Sequence, residues 1–70
     1  MLDLKDIALR ILNLRKDSGL SRAKLSELSG VPIRTLEDWE AGRRLPRDVY
    51  QIWAVAHALG LTVEEYIGLE

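Results

Sequence analysis

The stretch from Ser21 to Arg44, SRAKLSELSGVPIRTLEDWEAGRR, decides the fold of this chain. It predicts two short helices joined by a tight turn, the first over residues 22–29 and the second beginning near residues 32–33. Gly30 follows the first helix and Gly42 follows the second. Glycine takes the left-handed conformation just past a helix end without a Cβ penalty. Two short helices around a glycine-containing turn are a helix-turn-helix signature.

The same residues carry a resemblance to a known family. Residues 20–46, LSRAKLSELSGVPIRTLEDWEAGRRLP, resemble the helix-turn-helix of Cro/C1 repressor-type (XRE) regulators, and residues 57–68, HALGLTVEEYIG, resemble the end of that family's domain. The resemblance covers about the whole chain and implies an all-α, five-helix, lambda-repressor-like DNA-binding domain whose helices 2 and 3 form the helix-turn-helix. The matching positions of the first stretch are Leu20, Ser21, Leu25, Ser26, Gly30, Val31, Thr35, Leu36, Trp39, Glu40, Gly42 and Pro46.

Length and composition fit one small soluble domain. The chain has 70 residues, of which 47% are hydrophobic and 30% charged, so its core is near the lower size limit for independent folding. The absence of cysteine excludes disulfides and thiolate metal sites. No apolar run approaches a membrane span, and no signal-peptide pattern opens the chain. We expect a single cytoplasmic domain over residues 1–70, without cofactor, metal or membrane contact.

The net charge of −1 hides a segregation of charge along the chain. Residues 1–20 carry four basic and three acidic side chains, residues 21–47 carry six and four, and residues 48–70 carry four acidic and no basic ones. Positive charge therefore lies on the helix-turn-helix and negative charge on the tail. Such a domain can still dock on DNA by one face, with modest affinity.

Hydrophobic periodicity predicts three further helices. These are helix 1 over about residues 3–18, helix 4 over about residues 47–59 and helix 5 over Val63–Ile67, which opens with a capping box from Thr62 to Glu65. The side chains expected to face the core are Leu4, Ile7, Ile11 and Leu14 in helix 1, Leu25 and Leu28 in helix 2, Leu36 and Trp39 in helix 3, and Val49, Ile52, Trp53, Ala56 and Leu59 in helix 4.

Catalytic chemistry has little support in the sequence. His57 is the only histidine, and it falls off the expected core face of helix 4. Glu64 and Glu65 are adjacent carboxylates that point about 100° apart on a helix, and one of them belongs to the capping box. No phosphate-binding glycine loop or metalloprotease motif is present. We expect no catalytic residue and no enzyme activity.

Helix 3, about residues 32–41, is expected to enter the major groove while helix 2 crosses the DNA backbone. Arg34 is the best base reader, because a guanidinium can donate two hydrogen bonds to guanine. Ile33 could contact a thymine methyl group, and Asp38 could accept from a cytosine amino group. Alternatively, Arg34 and Asp38, at positions i and i+4, pair with each other on the helix surface.

The remaining arginines near this helix are expected to contact DNA: Arg22 a backbone phosphate, and Arg43, Arg44 and Arg47 the backbone or the minor groove. Arg22 stands where the resembled family usually has a glutamine that contacts the backbone, and three more arginines follow helix 3 in a basic loop. Each of these could instead be a solvated surface residue. The complete set of predicted DNA-binding residues is Arg22, Ile33, Arg34, Thr35, Asp38, Arg43, Arg44 and Arg47.

The resemblance further implies a structural ion pair between Arg15 and Glu40. The family places an arginine four residues before the glycine that ends helix 1, here Gly19, and a glutamate directly after the aromatic residue of helix 3. Such a pair would fix helix 3 against helix 1. Pro32, in contrast, replaces the serine or threonine that often caps helix 3 in that family.

These features favour a sequence-specific transcriptional regulator that reads a palindromic operator as a homodimer. Residues 61–69 and the additional leucines of helix 1, Leu2, Leu9 and Leu12, are the expected pairing surface. One alternative is the DNA-binding antitoxin of a toxin–antitoxin pair, with an added surface for the toxin. Another is a protein-interaction module that keeps the fold without binding DNA, which the acidic tail and the acidic residues of helix 3 would favour.

Overall fold

The computed structural model describes residues 3–68, and these residues contain five α-helices and no strand. The helices are α1 (Leu4–Asp17), α2 (Arg22–Ser29), α3 (Ile33–Glu40), α4 (Val49–Ala58) and α5 (Val63–Ile67). The predicted all-α, five-helix fold is confirmed. No helix in the described range is long and apolar enough to cross a membrane.

Side-chain caps begin four of these helices. Asp3, Ser21, Asp48 and Thr62 each accept a hydrogen bond from a backbone amide of the first helical turn. Asp48 accepts from the amides of residues 50 and 51, so α4 begins at Val49 rather than near the predicted residue 47. The exception is α3, which follows Pro32 and has no side-chain cap. This helix therefore depends on contacts from the rest of the protein.

The core lies where α2 packs against α3 and α4, and where α1 and α5 close the other side. Its buried members come from every helix and from the turn between α2 and α3. They are Ile11, Leu25, Val31, Leu36, Trp39, Ile52, Val55, Ala56 and Tyr66. Burial and the nearby Glu40 carboxylate raise the pKa of the Tyr66 phenol above its usual value, so this tyrosine stays neutral.

Three residues predicted to be in the core are exposed. Leu28 is 53% exposed, Val49 62% and Trp53 56%. In their place Val55, which the sequence did not single out, is completely buried. Apolar residues surround α4 on almost every side, and periodicity alone could not tell which side α2 would cover.

The tail contributes more to this core than expected. Tyr66 is buried, and Leu61 and Ile67 are half-buried against the core. On α1, Leu9 is 59% exposed and Leu12 is half-buried. Leu2 and Leu69, which belonged to the expected pairing surface, lie outside the described residues.

An ion pair fixes α3 against α1. The Nε of Arg15 donates to Oε2 of Glu40 at 2.7 Å, and its Nη2 donates to Oε1 at 3.1 Å. The two side chains are only 9% and 6% exposed. Nη1 of Arg15 also donates to the Leu20 carbonyl at 2.7 Å. One guanidinium thus joins α1, the segment before α2 and the end of α3.

The packing predicts that alanine substitutions of two leucines on α2 lower the stability by different amounts. Leu25→Ala should lower the free energy of unfolding by about 2–5 kcal/mol, because it leaves a cavity in the core. Leu28→Ala should lower it by less than about 1 kcal/mol, because half of that side chain is already in water. Urea unfolding of both variants measures the difference. Equal losses would contradict the orientation of α2.

The buried ion pair predicts a second effect on stability. Glu40→Ala leaves the Arg15 guanidinium buried without its partner and should cost about 3–5 kcal/mol. Glu37→Ala on the same helix is the matched control, because Glu37 makes no ion pair within residues 3–68, and it should cost less than about 0.5 kcal/mol. Thermal and urea unfolding provide the measurement. A Glu40→Ala protein as stable as the control would show that the pair does not hold α3.

Candidate nucleic-acid interface

The turn between α2 and α3 sets the direction in which α3 leaves the core. Gly30 has φ +75°, a conformation that glycine adopts without strain. The Ser26 hydroxyl donates to the Val31 carbonyl at 2.6 Å, while the Val31 amide donates to the Ser29 hydroxyl at 3.2 Å. Since Val31 itself is 2% exposed, the turn is anchored by both packing and hydrogen bonds. The two helices therefore form one unit.

With Leu36 and Trp39 buried, α3 presents its other side to solvent. Ile33 is 43% exposed, and Arg34 is exposed beside it on the first turn. Arg34 makes no hydrogen bond or ion pair with any residue in the range 3–68. All of its donors are therefore available for an external acceptor. Thr35, also predicted to bind DNA, is half-buried.

Asp38 contacts arginines that follow the helix rather than Arg34. Its Oδ1 accepts from Nε of Arg43 at 2.9 Å, and its Oδ2 lies 3.9 Å from Nε of Arg44. The alternative prediction, an Arg34–Asp38 pair, is therefore wrong. The Asp38 side chain is only 18% exposed. Both oxygens already face cations, which makes this carboxylate a poor acceptor for a cytosine amino group.

A groove of about 840 Å³ runs beside α3. It lies between the first half of α1, the inner side of α3 and the segment leading into α4. Three arginines border it, and apolar side chains form part of its wall. The lining residues are Leu4, Ile7, Thr35, Trp39, Arg43, Arg44, Leu45, Arg47, Asp48 and Gln51. The structure thus brings together three of the predicted DNA-binding arginines, Arg43, Arg44 and Arg47, along one groove beside α3.

Arg22, the fourth of these arginines, lies apart from the groove. Its Nε is 3.7 Å from Oε1 of Glu40, and its side chain is 43% exposed. Part of its charge therefore compensates Glu40. The rest of the guanidinium remains accessible at the first residue of α2.

The described residues hold no candidate metal centre. No cluster of three or more histidine and acidic side chains within them could bind a metal ion. His57 is exposed and stacks on Trp53, with ring centroids 4.9 Å apart and an interplanar angle of 11°. Neither residue lines the groove beside α3.

Comparison with known proteins agrees with this geometry. The family profile described as Helix-turn-helix matches residues 11–66, which is well over half of the chain. Searches of curated proteins and of solved structures found no match. The matched family is a fold of DNA-binding regulators and is generally non-enzymatic. Because the matched segment spans the five-helix fold around α2 and α3, the chain belongs to the Cro/C1-type helix-turn-helix (XRE) family.

Proposed function

We propose that this protein is a sequence-specific transcriptional regulator that reads a palindromic operator as a homodimer. One observation carries the proposal: Arg34 stands exposed on the first turn of α3 without a partner among residues 3–68, and the next residue, Thr35, lines a groove that three arginines border. In this family's arrangement the first turns of the second helix of the helix-turn-helix, here α3, contact base edges in the major groove. Each protomer would place one α3 in one half-site.

The arginines divide into two groups with different roles. Arg34 faces the bases, where a guanidinium can grip O6 and N7 of guanine, and Ile33 beside it can contact a thymine methyl group. Arg43, Arg44 and Arg47 lie beyond the helix, where the chain would run along the phosphates. Base contacts specify the sequence, whereas phosphate contacts position the protein. Thr35, on the groove side of α3, would contact the backbone.

Selection of binding sites from a random DNA pool at two salt concentrations tests this function. An enriched palindrome would support both sequence reading and two-fold symmetry. An enriched site without symmetry would support reading by a monomer. The protein-interaction alternative predicts that no DNA is retained at either salt concentration.

The division of roles predicts distinct effects for two substitutions. Arg34→Ala should weaken operator binding by about 1–3 kcal/mol per half-site and relax the preference at one base pair. Arg43→Ala should weaken binding to operator and scrambled DNA alike, and lower the salt slope by about one unit. Titration of both DNAs across a salt series measures each effect. If Arg34→Ala weakens both DNAs equally, Arg34 does not read sequence.

A homodimer needs an apolar pairing surface. The sequence favours residues 61–69 and helix 1 for this role, whereas the structure favours the exposed side of α4. The tail residues are largely used by the protomer's own core, whereas Val49, Tyr50 and Trp53 expose 62%, 82% and 56% of their surface on α4. No charged side chain interrupts this stripe on α4. Two copies could therefore bury it against each other without repulsion, as an isologous interface requires. The same stripe would suit a toxin if the protein were an antitoxin.

The pairing surface predicts which substitution breaks the dimer. Sedimentation of the parent protein without DNA, at micromolar concentrations, should show a dimer, and Trp53→Ser should convert it to a monomer with unchanged helical content. Leu9→Ser is the matched control, because it removes a similarly exposed apolar side chain from α1. Dissociation by Leu9→Ser alone would move the interface to α1. A parent that stays monomeric and binds DNA as a monomer would contradict the homodimer.

A further inference from the structure

We infer that Asp38 is a positioning residue, which holds Arg43 in place for a DNA phosphate and reads no base itself. This inference rests on the proposed function and assigns a role to an acidic side chain on the face of α3 that approaches DNA. Its basis is the way in which the chain turns back at the end of this helix.

Two of the backbone hydrogen bonds at the end of α3 define the turn that follows it. The amide of Gly42 donates to the Trp39 carbonyl at 3.2 Å, and the amide of Arg43 donates to the Asp38 carbonyl at 2.9 Å. With Gly42 at φ +74°, this is the arrangement called a Schellman motif. The motif places the side chain of Arg43 directly over that of Asp38, five residues earlier.

A hydrophobic contact commonly joins these two positions of the motif. Here the contact is an ion pair of 2.9 Å between Asp38 and Arg43, with Arg44 at 3.9 Å from the other carboxylate oxygen. An acidic residue in the last turn of a helix is unfavourable, since that end carries negative partial charge. An acidic residue near DNA phosphates is unfavourable as well. The presence of an acidic residue at position 38 is therefore not explained by the stability of α3 or by attraction to DNA.

The geometry of the pair supplies an explanation. Arg43 uses only its Nε toward Asp38, and its two terminal amino groups make no hydrogen bond within residues 3–68. The Arg43 side chain is 62% exposed and borders the groove, whereas Asp38 is 18% exposed. The half-buried carboxylate thus fixes one edge of the guanidinium and leaves the other edge open. That open edge is the fork that binds a phosphate with two hydrogen bonds.

Holding the side chain in advance removes an entropic cost from binding. Immobilising a long side chain at an interface costs an amount equivalent to about a three- to tenfold change in affinity. Without Asp38, Arg43 must be ordered at the moment when DNA binds. Since a phosphate is present in any DNA sequence, the gain from Asp38 should not depend on the bases.

Asp38→Asn in the full-length protein tests the inference. Asparagine keeps the shape of the side chain and removes the negative charge that holds Arg43 and faces Arg44. Glu37→Gln is the matched control, because it removes a negative charge from the neighbouring position of α3, and Glu37 has no ion-pair partner in the described range. Affinities for the selected operator and for scrambled DNA are measured by fluorescence anisotropy, with circular dichroism to show that each variant is folded.

We expect Asp38→Asn to bind both DNAs about three- to tenfold more weakly than Glu37→Gln, with unchanged base preference. In an Arg43→Ala background the same substitution should no longer weaken binding, an outcome that a merely structural role of Asp38 would not give. Binding equal to or tighter than that of Glu37→Gln would overturn the inference. So would a change in base preference, because Asp38 would then read a base. A parent protein that binds no DNA would overturn the proposed function itself, before any variant is compared.

Discussion

The direction of α3 depends on the carboxylate of Glu40. This helix has eight residues, no side-chain cap at its start and no basic residue in its last turn, so little within it stabilises it. Glu40 also lies at the negative end of the helix dipole, where a carboxylate is disfavoured. Arg15 reverses this balance by donating two hydrogen bonds to Glu40 and a third to the Leu20 carbonyl. A buried pair of this kind contributes little net stability compared with apolar packing; what it provides is one orientation for α3.

The same relation recurs two residues earlier, about half a turn around the helix. Asp38 and Glu40 are both acidic residues near the C-terminal end of α3, and each faces two arginines from outside the helix. For Glu40 these arginines come from α1 and α2; for Asp38 they come from the loop that follows. The two acidic residues thus connect α3 to α1, to α2 and to the loop that follows it. They also leave Arg34 as the cation of α3 itself, so that the remaining positive charge of the interface lies in the segments on either side of the helix.

How far the sequence predicts this structure depends on whether a feature is local. The bounds of α2 and the end of α3 follow from Ser21, Gly30 and Gly42, which act through their own backbone. The sequence predicts the wrong exposed face for α4, because apolar residues surround that helix and only the packing of α2 selects Val55. The sequence alone offers Asp38 a base or Arg34 as its partner, because the i, i+4 rule considers partners within one helix. Its actual partner, Arg43, is brought over it by the turn at Gly42. The position of this glycine, directly before Arg43 and four residues after Asp38, could have indicated the contact.

The net charge of the chain is a poor guide to its binding partner, because the acidic residues of α5 and the arginines of the groove lie in different parts of the molecule. Glu64 and Glu65 are exposed on α5, and no residue of that helix lines the groove. The Nε of Arg10 donates to the Glu65 carbonyl at 3.1 Å, which ties α5 to α1 on its own side of the core. Three arginines and one acidic residue, Asp48, border the groove, and Asp48 is occupied in capping α4. A polyanion that approaches this groove therefore meets a positive surface even though the whole chain is slightly negative, because the field that guides association is that of the approached face.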